Sequence, residues 1–452
     1  MALDHKSLEI LARALEKLDA GFSHLEGVTP CVPGSERMEE VLLALAEKLQ
    51  DNYPYFHPLY AGQMLKPPHP VARLAYLLTM YLNPNNHALD GGRATSALEK
   101  EAVAQIAAMF GWKVFLGHLC GGGTMANLEA LWVAGQLHAN KKIVASDQAH
   151  YTHGRITGVL QLPFEKVECD QRGRMDLNSL AERAARGDVG TVVATLGTTA
   201  TGSVDPLPGI LLLREKFGFR VHADAAYGGY FALASNLAEG ASKSFARIGE
   251  ADSIVIDPHK HGLQPYGCGC VIFRDPEVGR WYKHDSPYTY FSSSELHLGE
   301  ISLECSRPGA AAAALWATQK LLPLVRDGEF AKGLERGREA TLRFFQAIES
   351  GGMFDAAFEP ELDILAFVPK GGSLAEISTK SRRIFAACAR LGLHLAVAEL
   401  PVKFWPGLAA EGERTTVTCL RSVLMKPEHL EWVERIVGLL EQAVVSEPAG
   451  GH

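Results

Sequence analysis

The 452-residue sequence lacks the features that mark several specialised classes of protein. No apolar run approaches the roughly 18 residues that cross a bilayer, and the charged N-terminal segment has no apolar centre like that of a signal peptide. With 44 basic and 52 acidic residues the formal net charge is −8, so the chain also lacks the basic excess of nucleic-acid-binding proteins. We expect a cytoplasmic protein that binds neither membranes nor nucleic acid.

Closely spaced cysteines are nearly absent as well. Among the eight cysteines the one close pair is Cys268 and Cys270, and C-x-C is the spacing of neither a zinc ribbon nor a redox C-x-x-C motif. Free thiols in a reducing compartment are therefore expected. His150-x-x-His153 has no carboxylate or thiolate partner at a familiar spacing, so we expect no metal.

What the sequence does contain is material for a large core, with 47% hydrophobic residues, and a slight excess of glycine, with 44 residues. The apolar pattern indicates three regions. Amphipathic helices predict an N-terminal helical arm over residues 1–70. A large domain is expected over residues 71–325, and a smaller C-terminal α+β domain over residues 326–452.

Within the expected large domain, short apolar runs alternate with helical segments from about residue 95 to residue 275. This alternation predicts an α/β fold with a mainly parallel central sheet and helices on both faces. The predicted strands are Val114–Gly117, Lys142–Ser146, Thr191–Leu196, Arg220–Ala226, Ser253–Asp257 and Gly269–Phe273. Ser96 followed by Glu99 suggests a capping box that opens a helix.

Residues with chemical function follow the predicted strands, at the ends where sites lie in parallel sheets. Three glycines, Gly121–Gly123, and Thr124 precede a helix, where backbone N–H groups and the helix dipole favour a phosphate. A structural turn is the alternative interpretation. His150 follows the next strand; its ring could face the same cleft or be purely structural.

Two further strand ends carry an acid and an amine. Asp224 ends an apolar strand, where a carboxylate is costly to bury without a cationic partner such as a protonated ring nitrogen, although it could be a helix cap. Ala226 would let a flat ring lie against the backbone. Lys260 could form a Schiff base, or could be an ordinary surface lysine. Pyridoxal phosphate requires a phosphate-binding loop, a histidine that stacks on its ring, a carboxylate and a lysine that forms a Schiff base. The sequence offers a candidate for each.

Four motifs of the sequence resemble those of the pyridoxal-phosphate-dependent amino-acid decarboxylases of group II. They are SDQAH (146–150), ATLGTTATGSVDP (194–206), HADAAYGG (222–229) and DPHKHG (257–262). Weaker similarity extends from residue 57 to residue 430. The resemblance implies fold type I, a homodimer across which the N-terminal helices pack, and decarboxylation of an L-amino acid to its amine and carbon dioxide.

The resemblance also implies roles for individual residues. Lys260 would bind the cofactor as a Schiff base, Asp224 would pair with its pyridine nitrogen, and His150 would stack on its ring. Three residues would hold the phosphate: Gly123, Thr124 and His259. Two would contact the ring region: Thr199 and Ala226. Asp257 stands where many relatives have asparagine, and Arg421 matches an arginine that binds a substrate carboxylate.

The proton donor and the substrate are less constrained. In this family a loop after the lysine often supplies a tyrosine; Tyr288 aligns best, with Tyr290 and His150 as alternatives. The residues expected near the substrate lack a basic clamp, which favours a tyrosine-like substrate: His57, Tyr60, Gln63, Thr95 and Ser96. Similarity of two segments to tyrosine/aspartate decarboxylases keeps an acidic substrate open: SPYTYF (286–291) and CSRPGA (305–310).

Two other functions stay open at this point. One is a different fold-type-I reaction, by an aminotransferase or a carbon–carbon lyase. The other is a catalytically inactive protein that binds pyridoxal phosphate.

Overall fold

The computed structural model describes residues 5–27, 35–283 and 301–446. Three helices precede the first strand-rich region: α1 (His5–Ala20), α2 (Ser35–Leu49) and α3 (Pro70–Met80). The following helices accompany the strands: α4 (Arg93–Met109), α5 (Gly123–Leu137), α6 (Thr152–Val159), α7 (Leu177–Ala184), α8 (Leu207–Phe217), α9 (Glu239–Ala246), α10 (Gly309–Leu321), α11 (Glu329–Ser350), α12 (Leu374–Arg390) and α13 (His429–Ser446). No helix in these described ranges is both long and apolar enough to cross a membrane.

A seven-stranded sheet forms the centre of the protein, in the order β1-β7-β6-β5-β4-β2-β3. Its strands are β1 (Leu116–Cys120), β2 (Lys142–Ser146), β3 (Phe164–Val167), β4 (Val189–Thr195), β5 (Arg220–Asp224), β6 (Ser253–Ile256) and β7 (Gly269–Phe273). Strands β2 to β6 are parallel, whereas β7 is antiparallel to both β1 and β6. The predicted α/β class with a mainly parallel sheet is confirmed.

The central strands are buried on both faces. Ile254 and Ile256 of β6 belong to one hydrophobic cluster, while Val255 between them belongs to another. Val192 and Val193 of β4 divide between two clusters in the same way. Because successive side chains of a strand point to opposite faces, both faces must be covered, which explains the continuous apolar runs in the sequence.

A second, antiparallel sheet follows in the C-terminal part, in the order β10-β11-β9-β8. Its strands are β8 (Phe354–Ala356), β9 (Ile364–Pro369), β10 (Ala396–Pro401) and β11 (Thr416–Val423). Phe367 and Leu420 of this sheet share one core cluster with Phe344, Ile384 and Ile436 from α11, α12 and α13. The smaller α+β part is therefore a sheet with helices packed on it.

Two details of the sequence prediction were wrong. The first strand begins at Leu116, not Val114, whose side chain is 71% exposed before the strand enters the core. The helix expected to open at a Ser96 cap begins at Arg93 after Gly92, and Ser96 lies buried inside it. Glu99 does not cap the helix because its carboxylate accepts hydrogen bonds from the Leu119 N–H and from Arg307.

A short segment before α3 ties the N-terminal part to the second sheet. Ala61 N–H donates to the carbonyl of His394 at 2.9 Å, and the Ala61 carbonyl accepts from Val423 N–H at 2.7 Å. A Cβ on the next residue, Gly62, would lie 2.3 Å from the carbonyl carbon of Leu395 and 2.4 Å from its oxygen. Only glycine therefore allows the two backbones to approach this closely.

We expect Gly62→Ala to lower the free energy of unfolding by about 1–3 kcal/mol, because one of two hydrogen-bonded backbones must move. The midpoint of urea denaturation measures the change. Gly438→Ala is the control: Gly438 is exposed in α13, a Cβ there meets nothing within 4 Å, and alanine favours the helix. A Gly62→Ala midpoint as high as that of the control would contradict the packing argument.

Candidate active site

The loop between β1 and α5 forms an anion cradle. Gly122 precedes the helix with φ +149°, a conformation that favours glycine, and α5 begins at Gly123. A Cβ on Gly123 would lie 2.6 Å from Oδ2 of Asp257, and one on Gly122 would lie 3.0 Å from Cε1 of His259. The glycines thus leave the backbone N–H groups of the helix start open towards a ligand.

A carboxylate also lies at this loop. Oε2 of Glu304 accepts a hydrogen bond from the Gly121 N–H at 2.8 Å. Burial is the main reason that the pKa of Glu304 is raised, and the Gly121 hydrogen bond opposes that effect. The loop is therefore already able to bind an oxygen anion at its first glycine.

Asp224 is an ionised group inside the protein, at the carboxyl end of β5. Its Oδ2 lies 2.8 Å from Nε2 of His153, and its Oδ1 accepts from Ala226 N–H at 3.2 Å. Burial by itself would raise the pKa of Asp224, but the His153 hydrogen bond and the nearby positive charge of Lys260 hold it below its usual value. The carboxylate is thus negative at neutral pH.

Lys260 and Asp257 form an ion pair after β6. Nζ of Lys260 lies 2.9 Å from Oδ2 of Asp257, and the Lys260 side chain is 23% exposed, so its amine is open to the cavity. His259 lies beside them, with Nε2 3.6 Å from the same Asp257 oxygen. Burial lowers the pKa of His259, and its ring packs on Tyr266 with centroids 4.9 Å apart.

His150 lies just before α6. Its Nδ1 accepts from Thr152 N–H at 3.3 Å and lies 2.6 Å from the Thr152 hydroxyl. Burial lowers the pKa of His150, which favours the neutral ring. Since Nδ1 accepts the backbone hydrogen bond, the proton of the neutral ring is on Nε2.

One cavity of about 540 Å³ brings most of the predicted residues together. Predicted residues that line it are Gly121–Gly123, Thr124, His150, Thr199, Asp224, Ala226, Asp257, His259 and Lys260. The carboxyl ends of the parallel strands meet here, as the sequence predicted.

Several residues expected near the substrate lie outside this lining. Four of the five guanidinium N–H groups of Arg421 donate to oxygen atoms of the protein. The fifth, on Nη2, has no partner in the described ranges. His57 packs edge-on against Trp432 at 4.8 Å, and Tyr60 packs against Tyr55 at 4.9 Å.

The remaining expected residues are distributed as follows. Gln63 is exposed and its Oε1 accepts from Arg421 at 3.3 Å. Thr95 is buried and donates to Asn86, while Ser96 is fully buried in α4, so neither lines the cavity. Tyr288 and Tyr290 lie outside the described residues.

The structure adds residues that the sequence reasoning did not place in the site. No sequence motif pointed to Glu304. His153 was considered only as a metal ligand, yet its distance of three residues from His150 could have put both rings on one side of a helix. Asn127 connects the cradle to β5: Nδ2 donates to the Gly123 carbonyl at 2.8 Å, and Oδ1 lies 2.8 Å from Nε2 of His222.

These residues fit pyridoxal phosphate. The glycine cradle suits a phosphate, and two buried polar atoms near it have no partner in the described ranges, Oδ1 of Asp257 and Nδ1 of His259. An ionised carboxylate, Asp224, and an accessible amine, Lys260, line the same cavity. The cofactor needs each of these groups.

Sequence comparison identifies the family. The family model described as the pyridoxal-dependent decarboxylase conserved domain matches residues 39–370. The chain is 28% identical over 416 residues to the L-tyrosine decarboxylase of Enterococcus faecium, covering 70% of this chain and 68% of the relative. It is 30% identical over 310 residues to the probable L-tyrosine/L-aspartate decarboxylase of Methanothermobacter thermautotrophicus, covering 68% of this chain and 82% of the relative.

Solved structures show the same fold. Mouse CSAD is similar with a TM-score of 0.77 at 21% identity, covering 96% of this chain and 92% of that one. Oryza sativa TDC with PLP and tryptamine is similar with a TM-score of 0.77 at 15% identity, covering 98% and 96%. From the site geometry, the family match and the relatives together, the chain belongs to the pyridoxal-dependent decarboxylase family and is a pyridoxal-phosphate-dependent amino-acid decarboxylase.

Proposed function

We propose that the chain decarboxylates an aromatic L-amino acid, with L-tyrosine as the model substrate. The observation that carries this choice is the charge of the cavity. Among the described lining residues Lys260 is the one lysine or arginine, and it is paired with Asp257. A second carboxylate on the substrate would have no arginine or free lysine to meet there, whereas a phenol ring needs none.

The names of the relatives support the same substrate classes. L-tyrosine and L-aspartate appear in the names of relatives from Enterococcus, Methanothermobacter and Thermococcus. The tyrosine proposal is supported by Arg421, which bonds the lining residue Thr199 and already donates to carbonyl oxygens of Thr199, Ala200 and Gly62. The contacts predicted for His57, Tyr60 and Arg421 with the substrate stay predictions, and their positions outside the lining do not support them.

We assign the following roles within the site. Gly123, Thr124 and His259 would hold the phosphate, His150 would face the ring, and Lys260 would be the covalent attachment point. When bound, pyridoxal phosphate supplies a ring that accepts the electron pair released as carbon dioxide leaves. Asp224 holds a proton on the ring nitrogen because its carboxylate stays ionised. Asp257 keeps Nζ of Lys260 directed into the cavity.

We expect carbon dioxide release from L-tyrosine to exceed that from L-aspartate by at least about tenfold, a difference that pocket contacts commonly produce. The purified protein with added pyridoxal phosphate is screened against the standard amino acids, and carbon dioxide and amine are both quantified. Lys260→Ala is the control and should lose both turnover and the visible absorbance of the bound cofactor. Faster release from aspartate would make the substrate acidic, and keto-acid formation would indicate transamination.

Tyr288 is proposed as the proton donor. Its phenol hydroxyl would give the proton that replaces carbon dioxide on Cα, with Tyr290 and His150 as the other candidates. We expect Tyr288→Phe to slow amine formation by about a hundredfold, because losing a general acid costs about that much. Tyr290→Phe is the matched control and should retain most of the rate. A normal rate of amine formation by Tyr288→Phe would contradict the assignment of Tyr288 as the proton donor.

A homodimer is proposed from the N-terminal helices. No residue of α1 or α2 is buried in the single chain. The large apolar residues of α2 are all exposed: Met38, Val41, Leu42, Leu43, Leu45 and Leu49. A contiguous apolar face of this kind is typical of an interface, and a second copy that covers it would also explain the arm expected over residues 1–70.

We expect the double variant Leu42→Glu, Leu45→Glu to be a monomer at concentrations where the unaltered chain is a dimer, because charges in an apolar interface are not solvated. Light scattering coupled to size exclusion measures the mass. Glu47→Gln, on the same helix, is the control and should stay dimeric. A double variant with the mass of the unaltered chain would exclude α2 from the interface.

We also propose the division into an arm (1–70), a large domain (71–325) and a small domain (326–452), in a cytoplasmic protein. Every strand of the first sheet lies within the proposed large domain and every strand of the second sheet within the small one, which supports this division. The described cysteines are free thiols, which supports a reducing compartment.

A further inference from the structure

His153 is a buried group that the proposed roles do not use. Its side chain is fully buried, and Nε2 lies 2.8 Å from Oδ2 of Asp224. Its Nδ1 is also buried and has no hydrogen-bond partner within the described ranges. Burying a polar nitrogen without a partner costs free energy, so the ring is placed here for the contact that its other nitrogen makes.

The first turn of α6 fixes the position of this ring. The His153 N–H donates to the His150 carbonyl at 3.1 Å, and the Thr157 hydroxyl donates to the His153 carbonyl at 2.9 Å. Residues three apart lie on one side of a helical turn. The turn therefore holds His150 in the lining of the cavity and His153 against the carboxylate beneath it.

The hydrogen bond runs from the histidine to the acid. Burial would raise the pKa of Asp224, and the pKa is nevertheless lowered, with His153 as the largest opposing influence. An ionised carboxylate has only acceptors, so the proton is on Nε2 of His153. Oδ1, the other carboxylate oxygen, accepts only the long 3.2 Å bond from Ala226 N–H among the described contacts.

Other titratable groups surround the pair but do not replace this donor. His222, two residues earlier on β5, directs Nδ1 to Ser253 and Nε2 to Asn127, each at 2.8 Å. His150 directs Nδ1 to Thr152. Lys260 and Asp257, which follow β6, are paired with each other. Among described side chains, His153 is thus the one that donates a hydrogen bond to Asp224.

We propose that His153 is the positioning residue of Asp224: its Nε2–H fixes one carboxylate oxygen and keeps the acid charged, so that Asp224 can pair with a protonated ring nitrogen of the cofactor. This inference rests on the role proposed above for Asp224. It goes further in assigning a buried histidine as the main group that keeps this carboxylate ionised.

The test compares the pH dependence of cofactor binding in His153→Leu and the unaltered protein. Pyridoxal phosphate is titrated into each protein and followed by its visible absorbance from a pH near the usual pKa of an aspartic acid, about 3.9, to mildly alkaline pH. Without the donor the pKa of Asp224 rises. The fall in cofactor binding on the acid side, here called the acid limb, should therefore move to higher pH by about one unit or more. The dissociation constant near neutral pH should rise about ten- to a hundredfold. Acid limbs that coincide would overturn the proposal.

Conservative variants separate positioning from a purely structural role. His153→Gln places an amide N–H near the position of Nε2 and should restore the acid limb to within a few tenths of a pH unit, whereas the shorter His153→Asn should not. Both variants carry the same buried amide, so the comparison stands even if His153→Leu does not fold. Equal acid limbs for Gln and Asn would contradict the assignment.

Thr157→Val is the matched control for helix stability. It removes the hydroxyl bond to the His153 carbonyl and leaves the contact with Asp224, so it should lower stability without moving the acid limb. A shift as large as that of His153→Leu would show that loosening α6 is sufficient, and would also overturn the proposal. Because cofactor binding is measured without substrate, these outcomes are independent of which amino acid is decarboxylated.

Discussion

A buried negative charge, the carboxylate of Asp224, is the constraint on which the site depends. Removing a carboxylate from water is costly unless hydrogen bonds replace its hydration, so the surrounding elements must supply donors at fixed positions. The turn after β5 supplies one through Ala226, and α6 supplies the other through His153. Strand and helix must therefore keep one relative position, which also determines where His150 meets the cavity.

The phosphate cradle is held to the same strand by a second set of polar contacts. Asn127 donates to the Gly123 carbonyl and lies next to His222, which in turn contacts Ser253 on β6. Burial lowers the pKa of His222 to about 3, so this histidine is neutral and places no charge beside Asp224. Hydrogen bonds thus link the start of α5 to β5 and β6. A cofactor with a phosphate at one end and a ring nitrogen at the other needs that fixed separation.

The sequence predicted the elements that carry strong local signals. The apolar runs of β4 to β7 were identified because strands buried on both faces contain few polar residues, and the fold class followed from their alternation with helices. Weaker elements were not found: β3 begins at a phenylalanine with polar neighbours, and β8 has only three residues. The capping box was wrong because Ser96 and Glu99 have the spacing of a cap, while the Glu99 carboxylate accepts from Arg307, 208 residues further along the chain.

For the site, the sequence by itself determined the chemical groups: glycines before a helix, and His150, Asp224 and Lys260 at strand ends, because parallel strands bring those ends to one edge. Only the tertiary structure decided which neighbours these groups have. It showed His153 beneath Asp224, Glu304 on the cradle and Arg421 held by backbone carbonyls, contacts that join separate parts of the chain. Hydrogen bonds between distant segments leave no periodic pattern, so they are not readable from residue spacing.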